Sequence, residues 1–373
     1  MALTGRAALL AVLGVVPVVL APGRLTIAAV ALALLAVVAT DVARAAPVAA
    51  LRLQRSGDTA CRLGESAQVH LQVGPAARPL GGLLRDAWPP SAGAEPAVHA
   101  LDLPPGQTRV LTTTLHPTRR GDRRPDRITV RSLGPLGVAG RQGRHEVPWR
   151  LRVQPAFPSR KHLPERLDRL RTLDGRVAAR TRGSGTEFDS LRDYVAGDDV
   201  RSIDWRATAR RQGVVVRTWR PERDRRVLVV LDTGRTSAGR VGDVPRLDAA
   251  LDAALLLAAL TSRAGDRLDL LAVDRTTRAA LEGAGRDDLA RVVDALSGLE
   301  PALVESDARL LVGEVLRRAR RRSLVVLFTT LDAAALQEGL LPLLPSLTAR
   351  HTVLLAAVGD PRVEQMRRGR GAA

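Results

Sequence analysis

The sequence predicts three structural parts: an N-terminal transmembrane α-hairpin, an all-β immunoglobulin-like sandwich and an α/β domain with a mostly parallel sheet. Two uncharged apolar runs come first, short alternating runs separated by Pro and Gly follow, and strand and helix patterns then alternate. We therefore divide the 373 residues into a hairpin (1–50), a sandwich (51–157), a basic linker with a polar segment (158–226) and the α/β domain (227–373).

The hairpin prediction rests on two apolar runs, 7–21 and 25–40, separated by Pro22, Gly23 and Arg24. A helix needs about 20 residues to cross a bilayer, so the second run suffices if it continues to residue 43. The first run is long enough if it begins near residue 3. The alternative is a cleaved signal peptide followed by one anchor.

Basic residues predict the orientation of the hairpin. Arg44, Arg52 and Arg55 follow the second apolar run, whereas the turn carries one arginine. The positive-inside rule then places the soluble part in the cytoplasm of a bacterial cell. The single cysteine, Cys61, cannot form an internal disulfide and fits a reducing compartment.

The composition argues against a dedicated nucleic-acid site. Lys+Arg number 57 and Asp+Glu 39, which gives a net charge of +18. The arginines are spread along the whole chain, and aromatic residues, which could stack on bases, make up 2% of it. We therefore interpret the charge mainly as a solvated basic surface.

The sandwich prediction comes from short runs of period two. Apolar residues alternate with polar ones over 67–73, and the runs 110–115 and 128–130 are rich in β-branched residues. In the linker, leucines recur at helical spacing, and the resulting helix either is solvated or docks on a membrane surface. These leucines are Leu163, Leu167, Leu170 and Leu173.

The α/β prediction comes from continuous apolar runs separated by amphipathic stretches. Such runs are typical of strands buried on both faces. The predicted strands are 227–231, 268–273, 324–328 and 352–358, and the predicted helices are 246–264, 286–297, 307–322 and 332–349.

A dense polar segment, 183–211, precedes this domain. Charges of both signs alternate in it, and such a mixture is expensive to bury unless the charges pair. We interpret it as an ion-pair network that locks the linker onto the α/β domain, or as a partner-binding surface, and not as a catalytic site. Its candidate residues are Glu187, Arg192, Tyr194, Asp198, Asp199, Arg201, Asp204, Trp205 and Arg210.

This segment resembles the signature of the bacterial "domain of unknown function 58" family. The matching residues run from Gly183 and Gly185 through Glu187, Phe188, Leu191, Arg192, Tyr194, Gly197, Asp198, Asp199, Arg201, Ile203, Asp204, Trp205, Thr208, Ala209 and Arg210. The resemblance implies a membrane-associated relative of von Willebrand factor type A domains. Because the family's genes commonly lie beside those of MoxR-type AAA+ ATPases, it also implies an assembly role with such an ATPase.

The resemblance further implies a divalent-cation site with the pattern Asp-x-Ser-x-Ser, and hydroxyl and carboxylate oxygens suit Mg²⁺. Here Asp232 and Thr236 keep oxygens, Gly234 replaces the first serine, and Arg235 adds a positive charge. Ser306 stands near the place of a later threonine ligand, and Thr329-Thr330 replaces the later aspartate. We therefore expect a degenerate site and no cofactor.

The chain ends sooner than the resemblance implies, so the sheet would lack its last helix and strand. An exposed edge of this kind invites self-association through strand pairing. The sequence has no P-loop, no G-x-S-x-G elbow and no paired zinc-ligand spacing. We therefore predict a non-enzymatic interaction module. The alternatives are a metal-dependent hydrolase that uses the acidic cluster and a basic binder of lipid surfaces or nucleic acid.

Overall fold

The computed structural model describes residues 1–170, 187–210, 213–220, 226–331 and 335–370. They form two compact units, Met1–Gln154 and Pro155–Ala373. The finer four-part division of the chain stays a prediction. Leu173, Gly183 and Gly185 lie outside the described residues.

The first unit begins with three apolar helices, α1 (Gly5–Leu13), α2 (Val15–Leu20) and α3 (Arg24–Arg44). Among the described residues, α3 is the one helix long and apolar enough to cross a membrane, with a mean hydropathy of 2.4. The segment Gly5–Leu20 is shorter and packs against α3. At their contact a Cβ on Gly14 would lie 2.9 Å from Val30 Cγ1. Two membrane-spanning helices were predicted, and of these α3 meets the requirements of length and hydropathy.

Twelve strands complete the first unit. They are β1 (Ala2–Leu3), β2 (Leu53–Gly57), β3 (Ala60–Arg62), β4 (Ala67–Val73), β5 (Leu80–Asp86), β6 (Ala94–Glu95), β7 (Val98–Leu103), β8 (Arg109–Leu115), β9 (Gly121–Arg123), β10 (Ile128–Leu133), β11 (Ala139–His145) and β12 (Leu151–Gln154). They form sheets of order β1-β11-β10-β5-β7, β2-β4-β8-β6 and β3-β12-β9. The sandwich-like β architecture is confirmed.

Period-two patterning explains the core of this unit. Along β4 the residues Ala67, Val69, Leu71 and Val73 are buried, and the intervening polar residues are more exposed. Leu71 and Leu111 of one sheet pack in the same cluster as buried residues of the other, namely Leu80, Leu84, Leu101, Leu103, Ile128 and Val130. Alternation along the sequence therefore fixes which face of each strand is buried.

The described residues of the second unit form nine further strands and six α-helices with complete bounds. The strands are β13 (Glu187–Asp193), β14 (Val215–Arg220), β15 (Arg226–Asp232), β16 (Arg240–Val241), β17 (Val244–Pro245), β18 (Arg267–Val273), β19 (Thr277–Ala284), β20 (Leu324–Phe328) and β21 (Thr352–Ala356). The helices are α4 (Trp205–Thr208), α5 (Arg246–Ala264), α6 (Leu289–Ser297), α7 (Ala308–Arg318), α8 (Leu344–Thr348) and α9 (Pro361–Arg370).

Five of these strands form a sheet of order β19-β18-β15-β20-β21. The four strands β18, β15, β20 and β21 are parallel, and β19 is antiparallel. Val229 and Leu231 of β15 pack with α5 and α6, and Leu228 and Val230 pack with α7 on the opposite face. Helices therefore cover both faces, as the continuous apolar pattern of β15 requires.

Two expectations about this unit need correction. The predicted continuous helix over 332–349 is wrong: a π-helical turn (Ala335–Leu340), a 3₁₀ turn (Leu341–Leu343) and α8 follow one another. Pro342 and Pro345 lack the N–H that a continuing helix needs. The second expectation was that the unit would lack its last helix, but helix α9 follows the last strand, β21. Strand β21 forms one edge of the sheet.

The start of the predicted linker belongs to the second unit, as does Phe157, the last residue of the predicted sandwich. Phe157 packs on the apolar cluster of α5 and α6. Ser159 donates its hydroxyl hydrogen to Asp252 Oδ2 of α5 at 2.5 Å. Residues 163–170 are helical, in agreement with the leucine spacing.

Candidate functional site

The polar segment folds around an antiparallel pair of strands. We call residues 187–210 and 213–220 the signature segment. Strand β13, which begins at Glu187, pairs with β14, and Ile203 forms a further bridge to Val216. The amide of Asp204 donates to the carbonyl of Val215 at 2.9 Å. Residues before and after the turn at 198–202 are thereby held beside β14.

Asp198 and Asp199 close the turn between β13 and α4. Asp198 accepts hydrogen bonds from Arg192 Nη2 at 2.5 Å and from the amide of Val195 at 3.0 Å. The bond from Arg192, followed by the amide bond, lowers the pKa of Asp198 below its ordinary value. Asp199 accepts from the amide of Arg201 at 3.0 Å. Both carboxylates therefore serve local backbone geometry.

Asp204 is the N-cap of α4. Its Oδ1 accepts from the amides of Arg206 and Ala207, each at 3.0 Å, and its Oδ2 accepts from Arg217 Nε at 2.8 Å. Unpaired amides at a helix start are satisfied by such an acceptor. The amide of Ala207, and then Arg217, lowers the pKa of Asp204. Asp204 thus joins α4 to β14.

The described ion pairs of the signature segment join its own residues, Arg192 to Asp198 and Arg217 to Asp204. The sequence interpretation of a network that locks the linker onto the α/β domain therefore finds no support among these pairs. Asp198, Asp199 and Asp204 each act on a turn or a helix start within the segment.

The segment exposes several apolar and basic side chains, together with Asp193 and Asp199. Trp205 is 67% exposed, and Tyr194, Val195, Val200 and Val214 are also exposed. The side chains of Arg201, Arg206 and Arg210 are exposed and form no ion pair with the residues that the structure describes. The amide of Tyr194 donates to the carbonyl of Val214 at 2.8 Å, so these positions are neighbours. Exposed aromatic and arginine side chains are the composition of a contact surface.

A second candidate site lies where β15 and β20 end. The chain leaves β15 toward β18 on one side and later returns to β20 on the other, and ligand crevices form at such a switch point. A cleft of about 370 Å³ opens here. Asp232, Thr236, Ser306, Thr329 and Thr330 line it, so the predicted trio of Asp232, Thr236 and Ser306 is brought together.

Three donors satisfy the buried carboxylate of Asp232. Its Oδ1 accepts from the amide of Gly234 at 2.9 Å and from the hydroxyl of Ser306. Its Oδ2 accepts from Thr329 Oγ1 at 2.8 Å. Thr329 therefore replaces the expected later aspartate by a hydroxyl that donates to Asp232.

These residues do not fit a resident divalent cation. They supply one carboxylate, already bonded, and neutral hydroxyls, while Arg235 at the rim pairs with Glu305 at 3.0 Å. Within the described ranges no group of three or more His, Cys, Asp or Glu side chains could hold a metal. A Cβ on Gly234 would collide with Ser306 Oγ, so the serine of the metal pattern could stand there only if Ser306 moved its hydroxyl away from Asp232.

Sequence reasoning missed a neighbouring buried acid, Asp274. Its Oδ2 pairs with Arg278 Nε at 2.8 Å and accepts from Thr233 Oγ1 at 3.3 Å. Its Oδ1 accepts from the amide of Thr276 at 3.0 Å. An acid directly after the apolar run of β18 was the available signal. Asp274 fixes the turn from β18 to β19 beside the end of β15.

Two relatives with similar sequences come from mycobacteria. Uncharacterized protein Rv1480 of Mycobacterium tuberculosis and uncharacterized protein Mb1516 of Mycobacterium bovis are each 29% identical over 183 residues. The matches cover 48% of this chain and 57% of each relative, so the chain spans little more than half of their length.

A structural comparison adds no argument. A CARDB domain from Pyrococcus furiosus, described as in complex with di-metal ions, is 18% identical and covers 28% of this chain and 86% of that one. Its TM-score of 0.20 is too low for a conclusion about fold or function. The family comparison is more informative: residues 190–370, which hold most of the signature segment and the whole five-stranded sheet, match the family described as "Protein of unknown function DUF58".

Proposed function

We propose that this chain is a membrane-anchored module for protein–protein interaction or assembly, and that its partner is a MoxR-type AAA+ ATPase. One observation carries the proposal: Asp198, Asp199 and Asp204 bond within the signature segment, and Trp205 is exposed near arginines that form no ion pair with the residues that the structure describes. Tryptophan, tyrosine and arginine dominate the binding energy of protein interfaces. The family resemblance supplies the class of partner.

The membrane anchor is the second part of the proposal, and we assign both apolar helical segments to it as a hairpin. Their large side chains are exposed on the outside of the pair, including Leu9, Val16, Ile27 and Leu32. Such a surface suits lipid better than water. The exposed residues Arg44, at the end of α3, and Arg52, after it, favour the cytoplasmic side of a bacterial cell membrane for the soluble part.

We also assign the α/β unit to the von Willebrand factor A-like class. The parallel strands β15, β18 and β20, with Asp232 at the carboxyl end of β15, support this assignment. The degenerate cation pattern agrees with binding through the signature segment rather than through a metal-bridged ligand. We accordingly favour a non-enzymatic role over a metal-dependent hydrolase, which would need carboxylates free of structural bonds.

A binding measurement with purified components tests the proposal. The full chain is reconstituted in nanodiscs and titrated with the MoxR-type ATPase of the same organism, with and without Mg²⁺ and a non-hydrolysable ATP analogue. We expect saturable binding that weakens in Asp204→Ala, because the start of α4 and the position of Trp205 are lost.

The matched control is Asp126→Ala, which removes a more exposed aspartate that also pairs with an arginine, Arg127 at 3.2 Å, in the sandwich. It should bind like the parent chain. Absence of binding in every nucleotide state, or equal binding by Asp204→Ala, would contradict the proposal.

A further inference from the structure

Both ends of the apolar hairpin are attached to one end of the sandwich. Leu3 of β1 pairs with Ala139 of β11, and Thr4 Oγ1 donates to the carbonyl of Gly137 at 2.7 Å. Near the end of α3, the fully buried Asp41 accepts from the amides of Leu136, Val138 and Ala139 at 2.8, 2.7 and 2.8 Å. The sandwich is therefore fixed to the hairpin and does not hang from a free linker.

These bonds place the loop between β10 and β11 beside the end of the hairpin. Leu136 in this loop is 50% exposed although Asp41 holds its amide. A Cβ on Gly134 would collide with Asp41, so the loop is packed tightly against α3. If α3 crosses a bilayer, Leu136 lies at the depth where that crossing ends.

Four arginines lie at the same end, and we call Arg6, Arg44, Arg78 and Arg141 the basic collar. Arg6 Nη1 donates to the carbonyl of Leu136 at 3.3 Å, and Arg78 Nη1 and Arg141 Nε donate to carbonyls of Ala43 and Val42 at 3.1 and 3.0 Å. Arg44 is the exposed last residue of α3. Each guanidinium keeps further N–H donors for a ligand.

The collar has little opposing charge. Segments 1–57, 74–80 and 134–144 contain one acidic residue, Asp41, and it is buried and hydrogen-bonded. An exposed acid, Asp102 of β7, pairs with Gly81, the second residue of β5. The end of the sandwich that faces the hairpin is therefore basic.

We propose that the basic collar and Leu136 form a lipid-contact surface, which seats the sandwich on a bilayer that contains anionic phospholipid. Guanidinium groups bind phosphate oxygens in a bidentate manner. A basic residue near an anionic surface contributes about a five-fold preference for it. Leu136 enters the interface between the arginines. The inference rests on the membrane anchor of the proposed function.

A depth measurement tests the insertion of Leu136. The full chain carries Cys61→Ala, which removes its single, buried cysteine, and Leu136→Cys with a nitroxide label, in vesicles that contain phosphatidylglycerol. Val98→Cys is the control, because Val98 is also exposed but pairs with Arg85 at the opposite end of β5. We expect oxygen to relax the label at position 136 more than a water-soluble nickel reagent does, and the reverse at position 98. A label at position 136 that is as accessible to nickel as that at position 98 would overturn the proposal.

A lipid comparison tests the collar. The unfolding temperature of the chain is measured in nanodiscs of phosphatidylcholine alone and with about a third phosphatidylglycerol, and we expect a higher value with the anionic lipid. Replacement of all four collar arginines by glutamine should abolish this difference, and replacement by lysine should keep most of it. The variant Arg124→Gln with Arg127→Gln, at the far end of the sandwich, should leave it unchanged.

If the glutamine variant shows the same difference in unfolding temperature between the two lipid compositions as the parent chain, the basic collar does not bind the anionic lipid. A chain that alkaline washing removes from vesicles would instead refute the anchor itself, so the two failures are distinguishable.

Discussion

Two arginine–aspartate pairs of equal length differ in what they do. Arg55 pairs with Asp86 at 2.8 Å with side chains 1% and 2% exposed, and Arg217 pairs with Asp204 at 2.8 Å with side chains 46% and 13% exposed. The first joins β2 of one sheet to β5 of the other inside the sandwich. The second joins α4 to β14 at the surface. Because the two pairs have the same length, burial decides how much each contributes to the stability of its unit.

The buried pair belongs to a small polar cluster. Trp88 Nε1 donates to Asp86 Oδ2 at 2.8 Å, and the guanidinium of Arg55 lies 5.3 Å from the centre of the Trp88 ring. Burial lowers the pKa of Arg55, and Asp86 opposes that shift. The cluster therefore fixes the alignment of two sheets. The exposed pair instead shapes a turn that displays Trp205.

The largest predicted effect is on the buried pair. Asp86→Ala leaves Arg55 as an uncompensated buried charge and should cost about 3–5 kcal/mol of the free energy of unfolding of the sandwich. The double variant Arg55→Met with Asp86→Leu should recover most of that loss. Denaturant titration in detergent, followed by hydrogen exchange of the sandwich, measures both. A loss below about 1 kcal/mol in the single variant would contradict the account.

Asp232 offers a third case beside the two arginine–aspartate pairs, because neutral donors and no arginine bond its carboxylate. Gly234→Ser should destabilise the α/β unit by about 1–3 kcal/mol, since the added side chain collides with Ser306 Oγ. Gly359→Ser is the control, because a Cβ there meets no atom within 4 Å. Unfolding of both variants with and without Mg²⁺ is the measurement. Stabilisation of Gly234→Ser by Mg²⁺ would show that a cation site can be restored.

A smaller and local effect is predicted for the exposed pair. Asp204→Ala should increase hydrogen exchange in residues 203–208 and in β14, because two capping bonds and the bond from Arg217 are lost. Global unfolding should change less than in Asp86→Ala. Peptide-resolved exchange separates the two responses. An equal global loss in the two variants would contradict the distinction between them.

Acidification should separate the two regions further. Burial lowers the pKa of His99, so the sandwich should lose stability as the pH falls below about 6.5, the unfolded value, toward the lower folded value. The folded pKa values of Asp198 and Asp204 are also lowered, but their unfolded values are about 3.9. Their contribution is therefore complete near neutral pH and is lost only as the pH falls through those lower folded values.

Hydrogen exchange between pH 7 and 4.5, corrected for the intrinsic rate, should show weakening in the sandwich and constancy in the signature segment. His99→Gln should remove the pH dependence of the sandwich. Opening of both regions at the same pH would break the comparison.

The sequence predicted what depends on local periodicity and missed what depends on distant partners. The helix at 246–264 has the predicted bounds, and β4 shows the predicted alternation. Arg55 was counted with the basic residues that set the orientation of the hairpin, yet it is buried against Asp86. The sequence did not reveal this pair because the two residues are 31 positions apart. Nothing in the apolar run around Asp41 indicated its amide partners, which lie 95 to 98 positions away.

The candidate site shows the same limit. The signature residues were recognisable as a group, whereas the strand pairing of β13 with β14 was not, because mixed charges conceal the apolar alternation. Strand β19 escaped prediction for a related reason: it is an edge strand, and mostly small or polar residues lie along it. Gly234 looked like a lost ligand, and the structure shows that Ser306 occupies the space.

The most direct test of the central claim is the affinity of Trp205→Ala for the MoxR-type ATPase, with the full chain in nanodiscs. The ring is 67% exposed, so unfolding should be unchanged, and binding should weaken about thirty-fold or more if Trp205 is an interface anchor. Leu303→Ala, which truncates a 79% exposed side chain elsewhere in the same unit, should bind like the parent chain. Equal binding by Trp205→Ala and the parent chain would contradict the assignment of the signature segment as the partner surface.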